Sequence, residues 1–163
     1  MPINPNTYTQ RMQEALQSAI QNAETRGHTQ LEPVHLLSAL LEQDDTIIGP
    51  LLREVNADPE TIRSQLASEL DRLPTVEQAQ QPRLSQDVAK LLEQAEREMN
   101  ELGDNYVSTE HVLLAALKAS TPAQKLLQDA GADYEQMKRS LNNVRGSMNV
   151  TDQNPESKYN VLE

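Results

Sequence analysis

The sequence has no cysteine, no phenylalanine and no tryptophan, and it has only four tyrosines. The absence of cysteine excludes a disulfide scaffold, a thiolate nucleophile and a zinc site with cysteine ligands. The scarcity of aromatic side chains argues against a surface that stacks nucleobases. No segment has the apolar run of a signal peptide or a membrane span, so we expect a cytoplasmic protein without a membrane partner.

Positive charge is also scarce, with 14 Lys and Arg residues against 25 Asp and Glu residues and a net charge of −11. Such a chain repels a phosphate backbone, so we expect no nucleic-acid partner. The 163 residues are enough for one domain with a tail.

Glycine is limited to five residues, and none belongs to a G-x-x-x-x-G-K-[ST] or a G-x-G-x-x-G loop. Without such a loop the sequence contains no phosphate-binding motif, and it also lacks the G-x-S-x-G elbow of many hydrolases. We therefore expect no cofactor and no enzymatic activity from this chain alone.

The chain contains an internal repeat. GHTQLEPVHLLSALL, from Gly27, and GDNYVSTEHVLLAAL, from Gly103, are identical at five of fifteen positions. LLREVNADPETIRSQL, from Leu51, and LLQDAGADYEQMKRSL, from Leu126, share six of sixteen. Aligned blocks in the same order indicate a duplicated structural unit.

Each repeat has the apolar spacing of four helices, and no segment alternates with period two for long enough to predict a strand. We therefore predict an all-α fold with two pseudo-symmetric four-helix repeats. The repeats span about 8–73 and 84–146 of a domain at 1–146, and a flexible linker follows at 147–163. The helix pairs are predicted near 8–26 and 85–102, 33–43 and 109–119, 50–56 and 122–130, and after Asp58 and Asp133.

Local residues predict how several of these helices begin and end. Pro50 and Pro122 are placed to open the third helices, where proline costs no hydrogen bond. Gly131 is placed to end its helix in a left-handed cap. The second helices are apolar nearly all round, which is typical of a helix in the middle of a domain.

His35 and His111 occupy equivalent positions in the two repeats. One interpretation is a small metal-binding enzyme, in which both histidines and nearby carboxylates share an ion across a pseudo-twofold axis. The other is local: with Glu32 or Ser108 as N-cap, each imidazole accepts a hydrogen bond from the N-cap amide, as in a capping box. Capping or core packing is the favoured interpretation.

The first helix of each repeat carries an apolar stripe, which includes Met12 and Leu16 in one repeat and Val88 and Leu92 in the other. A twofold-like arrangement leaves a groove where these helices approach each other. Such grooves accept extended or helical peptide segments. The residues by themselves thus indicate an acidic, duplicated helical binding module.

Four segments resemble the N-terminal domain of Clp ATPases, which is built from two four-helix repeats: YTQRMQEALQSAIQNA, LEPVHLLSALL, GDNYVSTEHVLLAAL and LLQDAGAD. The tail VTDQNPESKYNVLE is similar to the linker that follows this domain in ClpB-type disaggregases. The resemblance implies a domain that binds unfolded or aggregated polypeptide for a homohexameric ATPase ring that cooperates with an Hsp70-type chaperone system. The isolated domain is expected to be a monomer.

The resemblance also implies site residues. Thr9 in Y-T-Q, Asp104 in G-D-N and Glu110 in S-T-E-H match polar positions that border the peptide groove, and we call them the three polar site residues. Leu92 is the apolar residue expected at the same groove. We place Thr9 and Asp104 outside the core, and Glu110 in the first turn of its helix.

One departure bears on the type of Clp protein. ClpC-type relatives, which are linked to a protease, carry T-E-H in both halves, where paired glutamates help to receive phosphoarginine. This sequence has P-V-H in the first half, and the apolar side chain of Val34 cannot accept a hydrogen bond. The disaggregase assignment is therefore favoured, and an adaptor-docking domain of a protease-linked Clp ATPase is the alternative.

Overall fold

The computed structural model describes residues 4–78, 80–146 and 148–158. This part of the chain contains eight α-helices, four in each repeat, and the all-α prediction is confirmed. None of these helices is both long and apolar enough to traverse a bilayer. The helices are α1 Gln10–Thr25, α2 Pro33–Glu42, α3 Ile48–Glu54, α4 Pro59–Arg72, α5 Gln86–Glu101, α6 Thr109–Lys118, α7 Pro122–Asp129 and α8 Tyr134–Arg145.

Glycine ends the equivalent helices α1 and α5 in the same way. Gly27 and Gly103 have φ of 80° and 73°, a left-handed conformation that glycine adopts without a Cβ penalty. The amide of each following residue, His28 or Asp104, then donates back to the last turn of the helix. The predicted left-handed cap at Gly131, with φ of 102°, is confirmed.

The predicted start of one third helix is wrong. Pro122 is the first residue of α7, as expected, but α3 begins at Ile48 and Pro50 is its third residue. Proline is tolerated there because the first turn of a helix contains no intrahelical acceptor for its amides. The first helix also begins later than expected, at Gln10, with Thr9 as its N-cap.

The second helix of each repeat lies in the middle of the domain. In α6 every side chain from Thr109 to Leu117 is buried, and in α2 only Ser38 and Glu42 are not. Because neither helix has a polar face, each is covered from several sides. This placement confirms the expectation from their composition.

Short extended segments join the two repeats, and they were not predicted. Strand β1 (Gln30–Leu31) pairs in parallel with β2 (Arg83–Leu84), with Leu31 opposite Leu84. Tyr8 pairs in parallel with Val107 in the same manner. Each bridge joins the residues before the first helix of one repeat to the residues before the second helix of the other. Two-residue strands leave no detectable period in a sequence, since alternation needs at least four residues.

Candidate functional site

The two histidines cap their helices, as the local interpretation predicted. The Glu32 N–H donates to Nδ1 of His35 at 2.9 Å, and the Ser108 N–H donates to Nδ1 of His111 at 2.7 Å. Since Nδ1 accepts in both rings, each neutral imidazole carries its proton on Nε2 and donates from there. The capping boxes fix the tautomer before any distant residue takes part.

The acceptor for that proton differs between the repeats. In the first repeat the Nε2 of His35 lies 2.7 Å from Nδ1 of His28, and both rings are buried. Burial, together with the nearby charges of His28 and Arg26, lowers the pKa of His35 to about 4. This pair is therefore neutral at pH 7, and a single N–H···N hydrogen bond from Nε2 of His35 to Nδ1 of His28 joins the two rings.

In the second repeat a carboxylate replaces His28. The Nε2 of His111 lies 2.7 Å from Oδ2 of Asp104. Arg145 donates to both oxygens of the same carboxylate, at 2.7 and 3.1 Å. Burial by itself would raise the pKa of Asp104, but the hydrogen bonds from His111, Arg145 and the Val150 amide, together with the charge of Arg145, outweigh it and hold that pKa below its ordinary value.

Glu110 belongs to the same buried cluster. It is fully buried, and one of its oxygens accepts a hydrogen bond from the Ser108 hydroxyl. Its other oxygen, Oε2, is 3.7 Å from Arg145 and accepts no hydrogen bond from the described residues. One guanidinium thus faces two carboxylates, those of Asp104 and Glu110.

Thr9 is buried at the start of α1. Its hydroxyl accepts from the Met12 N–H at 3.2 Å, and its own N–H donates to the Val107 carbonyl at 2.9 Å. The latter bond brings the start of α1 against the segment that leads into α6, and hence near Glu110. The expectation that Thr9 and Asp104 lie outside the core is wrong, because both are at most 5% exposed.

Residues 148–156, which we call the strap, cover this region. The Val150 N–H donates to Oδ1 of Asp104 at 2.9 Å, and the Val150 carbonyl accepts from the Asn105 N–H at 2.7 Å. Farther along, the Gln153 carbonyl accepts from the Gln10 N–H at 2.7 Å. A flexible linker was expected here, and the described part of it lies packed against the domain.

An open groove of about 660 Å³ runs along α1 from the Tyr8 end. Its apolar lining is Tyr8, Leu16 and Ile20, and the remaining lining residues are Gln13, Gln17, Gln21, Glu24 and Gln81.

Leu92 is buried in α5, one helical turn before Glu96. Burial and the charge of Glu96 raise the pKa of Tyr8, which lines one end of the groove. Leu92 itself does not line the groove.

Arg145 is the residue that the sequence analysis missed. It follows the apolar pattern of α8, four residues after Leu141, and the repeat alignment pairs it with Leu70. A charged residue at an apolar position of a duplicated helix is a signal that could have identified it. Within the described segments, no three His, Asp or Glu side chains are grouped so as to hold a metal ion.

The Clp repeat (R) N-terminal domain family matches residues 7–130 of the chain. The chaperone protein ClpB of Mycobacterium tuberculosis (strain ATCC 25618 / H37Rv) is 40% identical over 161 residues, which is 98% of this chain and 19% of that protein. The chain thus spans about a fifth of the length of this relative.

Two solved structures have the same architecture. The Hsp104 N-terminal domain from Candida albicans has a TM-score of 0.79 at 20% identity, over 90% of this chain and 96% of that chain. A complex of the ClpV N-domain with a VipB peptide gives a TM-score of 0.70 at 20% identity, over 87% of this chain and 92% of that chain. At these identities the similarity establishes the fold.

Proposed function

The chain belongs to the Clp repeat N-terminal domain family, and from this we propose that it binds unfolded or aggregated polypeptide on behalf of a ClpB-type chaperone. The observation that carries the proposal is the groove along α1. It offers apolar contact area beside polar side chains that, apart from Glu24, are uncharged, and this composition suits an extended polypeptide of unspecified sequence.

The glutamines are central to this argument. The side chains of Gln17, Gln21 and Gln81 are exposed at the groove. An amide side chain both donates and accepts hydrogen bonds and carries no charge. A row of such groups pairs with the N–H and C=O groups of a main chain regardless of sequence, while the half-buried Ile20, beside the mostly buried Leu16, contacts apolar side chains of the client.

Client delivery is a further part of the proposal. We propose that the domain serves a homohexameric, ATP-driven ring that works with an Hsp70-type system in the cytoplasm, and that the domain passes its client to the pore of that ring. The ClpV N-domain complex with a VipB peptide supports peptide binding by this fold. A ClpB relative whose own N-terminal domain is replaced by this chain should retain reactivation of aggregated protein.

Ile20→Gln tests the groove directly. Ile20 is half-buried at the groove, so the substitution adds a polar group to the client surface without opening the core. We expect the affinity for a permanently unfolded protein, measured by fluorescence anisotropy, to fall by about 1–2 kcal/mol, as for an ordinary interface anchor.

Val144→Gln is the matched control. Val144 is also half-buried against the core, but it lies on α8 outside the groove. If the two variants bind the client equally well, the groove is not the binding surface. If the unaltered domain binds no unfolded protein, the proposed function is wrong.

A further inference from the structure

The strap is held mainly by its backbone. The carbonyls of Val150 and Gln153 accept from the amides of Asn105 and Gln10, and the Val150 amide donates to Asp104. Gln10 is the first residue of α1, so its amide has no acceptor within the helix and is available to another segment. These contacts recognise an extended main chain, and the side-chain amides of Asn149 and Gln153 add hydrogen bonds to the carbonyls of Gly103 and Tyr8, at 3.0 and 3.1 Å.

Between Met148 and Asn154, Val150 is the only strap residue whose side chain is buried in the domain. Val150 is fully buried, whereas its neighbours Asn149 and Thr151 are exposed. This alternation is that of an extended segment with one face inward. Any extended polypeptide with a small apolar residue between two polar ones offers the same groups.

The far end of the strap carries an uncompensated charge. Glu156 is 7% exposed, and neither of its carboxylate oxygens accepts a hydrogen bond from another residue in the described ranges. Glu110 of α6 and Asp45 of the α2–α3 connection repel it, and Arg11 of α1 attracts it. Burying a carboxylate in this way costs free energy. This cost offsets part of the stabilisation that the backbone hydrogen bonds give to the bound strap.

We propose that the strap is an intramolecular occupant of a second binding site for extended polypeptide, and that a client segment enters this site only when the strap leaves it. The inference rests on the proposed function. The client would present main-chain carbonyls to Gln10 and Asn105, an amide to Asp104 and a small apolar side chain in place of Val150. The three polar site residues, which are buried in this structure, would then border the bound client.

Protonation of Glu156 favours the seated strap. Burial raises the pKa of Glu156 to about 7, with the charge of Glu110 as a further cause. The seated state therefore binds a proton that the released state gives up, and lowering the pH stabilises the seated state. The pKa of Glu156 is about 7 in the seated strap and has its ordinary value of 4.5 in the released strap. If the strap is mostly seated, this difference makes the client affinity about tenfold higher at pH 8 than at pH 6.

Val150→Asp tests the strap, since it places a carboxylate beside Asp104 and expels the segment. We expect a fluorescein-labelled, reduced and carboxamidomethylated lysozyme, which is permanently unfolded, to bind this variant about tenfold more tightly than the unaltered chain, as removal of a competing state predicts. The amides of Gln10 and Asn105 should also exchange hydrogen faster. Met148→Asp, an equal change of charge at an exposed strap residue, should do neither.

Glu156→Gln is expected to act in the opposite direction. It removes the buried charge and keeps the shape, so the strap is held more firmly and the client binds more weakly at pH 8. The rise in client affinity between pH 6 and pH 8 should also disappear. This variant requires no disruption of the domain, and it tests the inference even if Val150→Asp fails to fold.

The outcomes separate this inference from the proposed function. If the unaltered chain binds the client and Val150→Asp and Glu156→Gln bind it with the same affinity, the strap does not compete and the inference is overturned, while the proposed function stands. If no variant binds the client at either pH, the proposed function fails, and the inference fails with it.

Discussion

Arg145→Leu removes the buried guanidinium that the polar cluster of the second repeat depends on. Arg145 donates two hydrogen bonds to Asp104, at 2.7 and 3.1 Å, and a third from Nε to the Met148 carbonyl at 3.0 Å. It also lies 3.7 Å from Glu110. Without it, two carboxylates remain buried and lose the cation that faces both of them.

The expected loss is large relative to the stability of a domain. Removing one partner of a buried ion pair costs about 3–5 kcal/mol, because the other charge stays buried. The total stability of a domain is about 5–15 kcal/mol. For a chain of this size each kcal/mol lowers the melting temperature by roughly 2–4 °C, so the variant should melt roughly 6–20 °C below the unaltered protein.

The first repeat supplies a compensating substitution. There, His28 takes the place of Asp104 and Leu70 the place of Arg145, and the buried cluster is neutral. Adding Asp104→His to Arg145→Leu should rebuild the histidine pair around His111 and recover part of the lost stability, while the Glu110 carboxylate stays buried without its cation. Recovery by a second substitution is not expected if Arg145→Leu acts only by leaving a cavity.

Urea unfolding at pH 7, followed by far-UV circular dichroism, measures these differences. Arg72→Leu is the control, because the side chain of Arg72 is 74% exposed and pairs with Glu69 at the surface, and it should change stability by less than about 0.5 kcal/mol. An Arg145→Leu variant within about 1 kcal/mol of the unaltered protein would refute the argument. So would a double variant no more stable than the single one.

Three further predictions concern stability. Burial lowers the pKa of His35 to about 4, so between about pH 6.5 and pH 4 the unfolded chain binds a proton that the folded chain does not. The free energy of unfolding, measured in urea, should therefore fall as the pH is lowered from 6.5 to 4. It should fall less steeply in His35→Gln. Gly27→Ala should lower the melting temperature more than Gly103→Ala, although the two φ angles are similar. A Cβ on Gly27 would lie 2.6 Å from the backbone oxygen of Val76, whereas a Cβ on Gly103 would lie 3.4 Å from the side-chain amide of Asn149. Replacing the three polar site residues with alanine should lower the melting temperature markedly, because all three are buried, and an unchanged value would contradict their placement.

The repeat, the eight helices and the way most of them begin and end were predictable from the sequence. The histidine capping boxes at His35 and His111 join groups three residues apart, and the glycine caps join groups no more than five residues apart. Interactions this local are determined by residue type and spacing. The start of α3 was missed because proline is compatible with several positions of a first turn.

The long-range contacts were decided only by the tertiary structure. Arg145 and Asp104 are 41 residues apart, and Val150 and Asp104 are 46 apart. The sequence places Thr9 near the start of the first helix, but a residue in that position has the same pattern whether it faces water or another segment. Packing of the strap and of the second repeat against the start of α1 decides that Thr9 and Asp104 are buried, because burial depends on which distant surfaces meet, and residue spacing does not encode this.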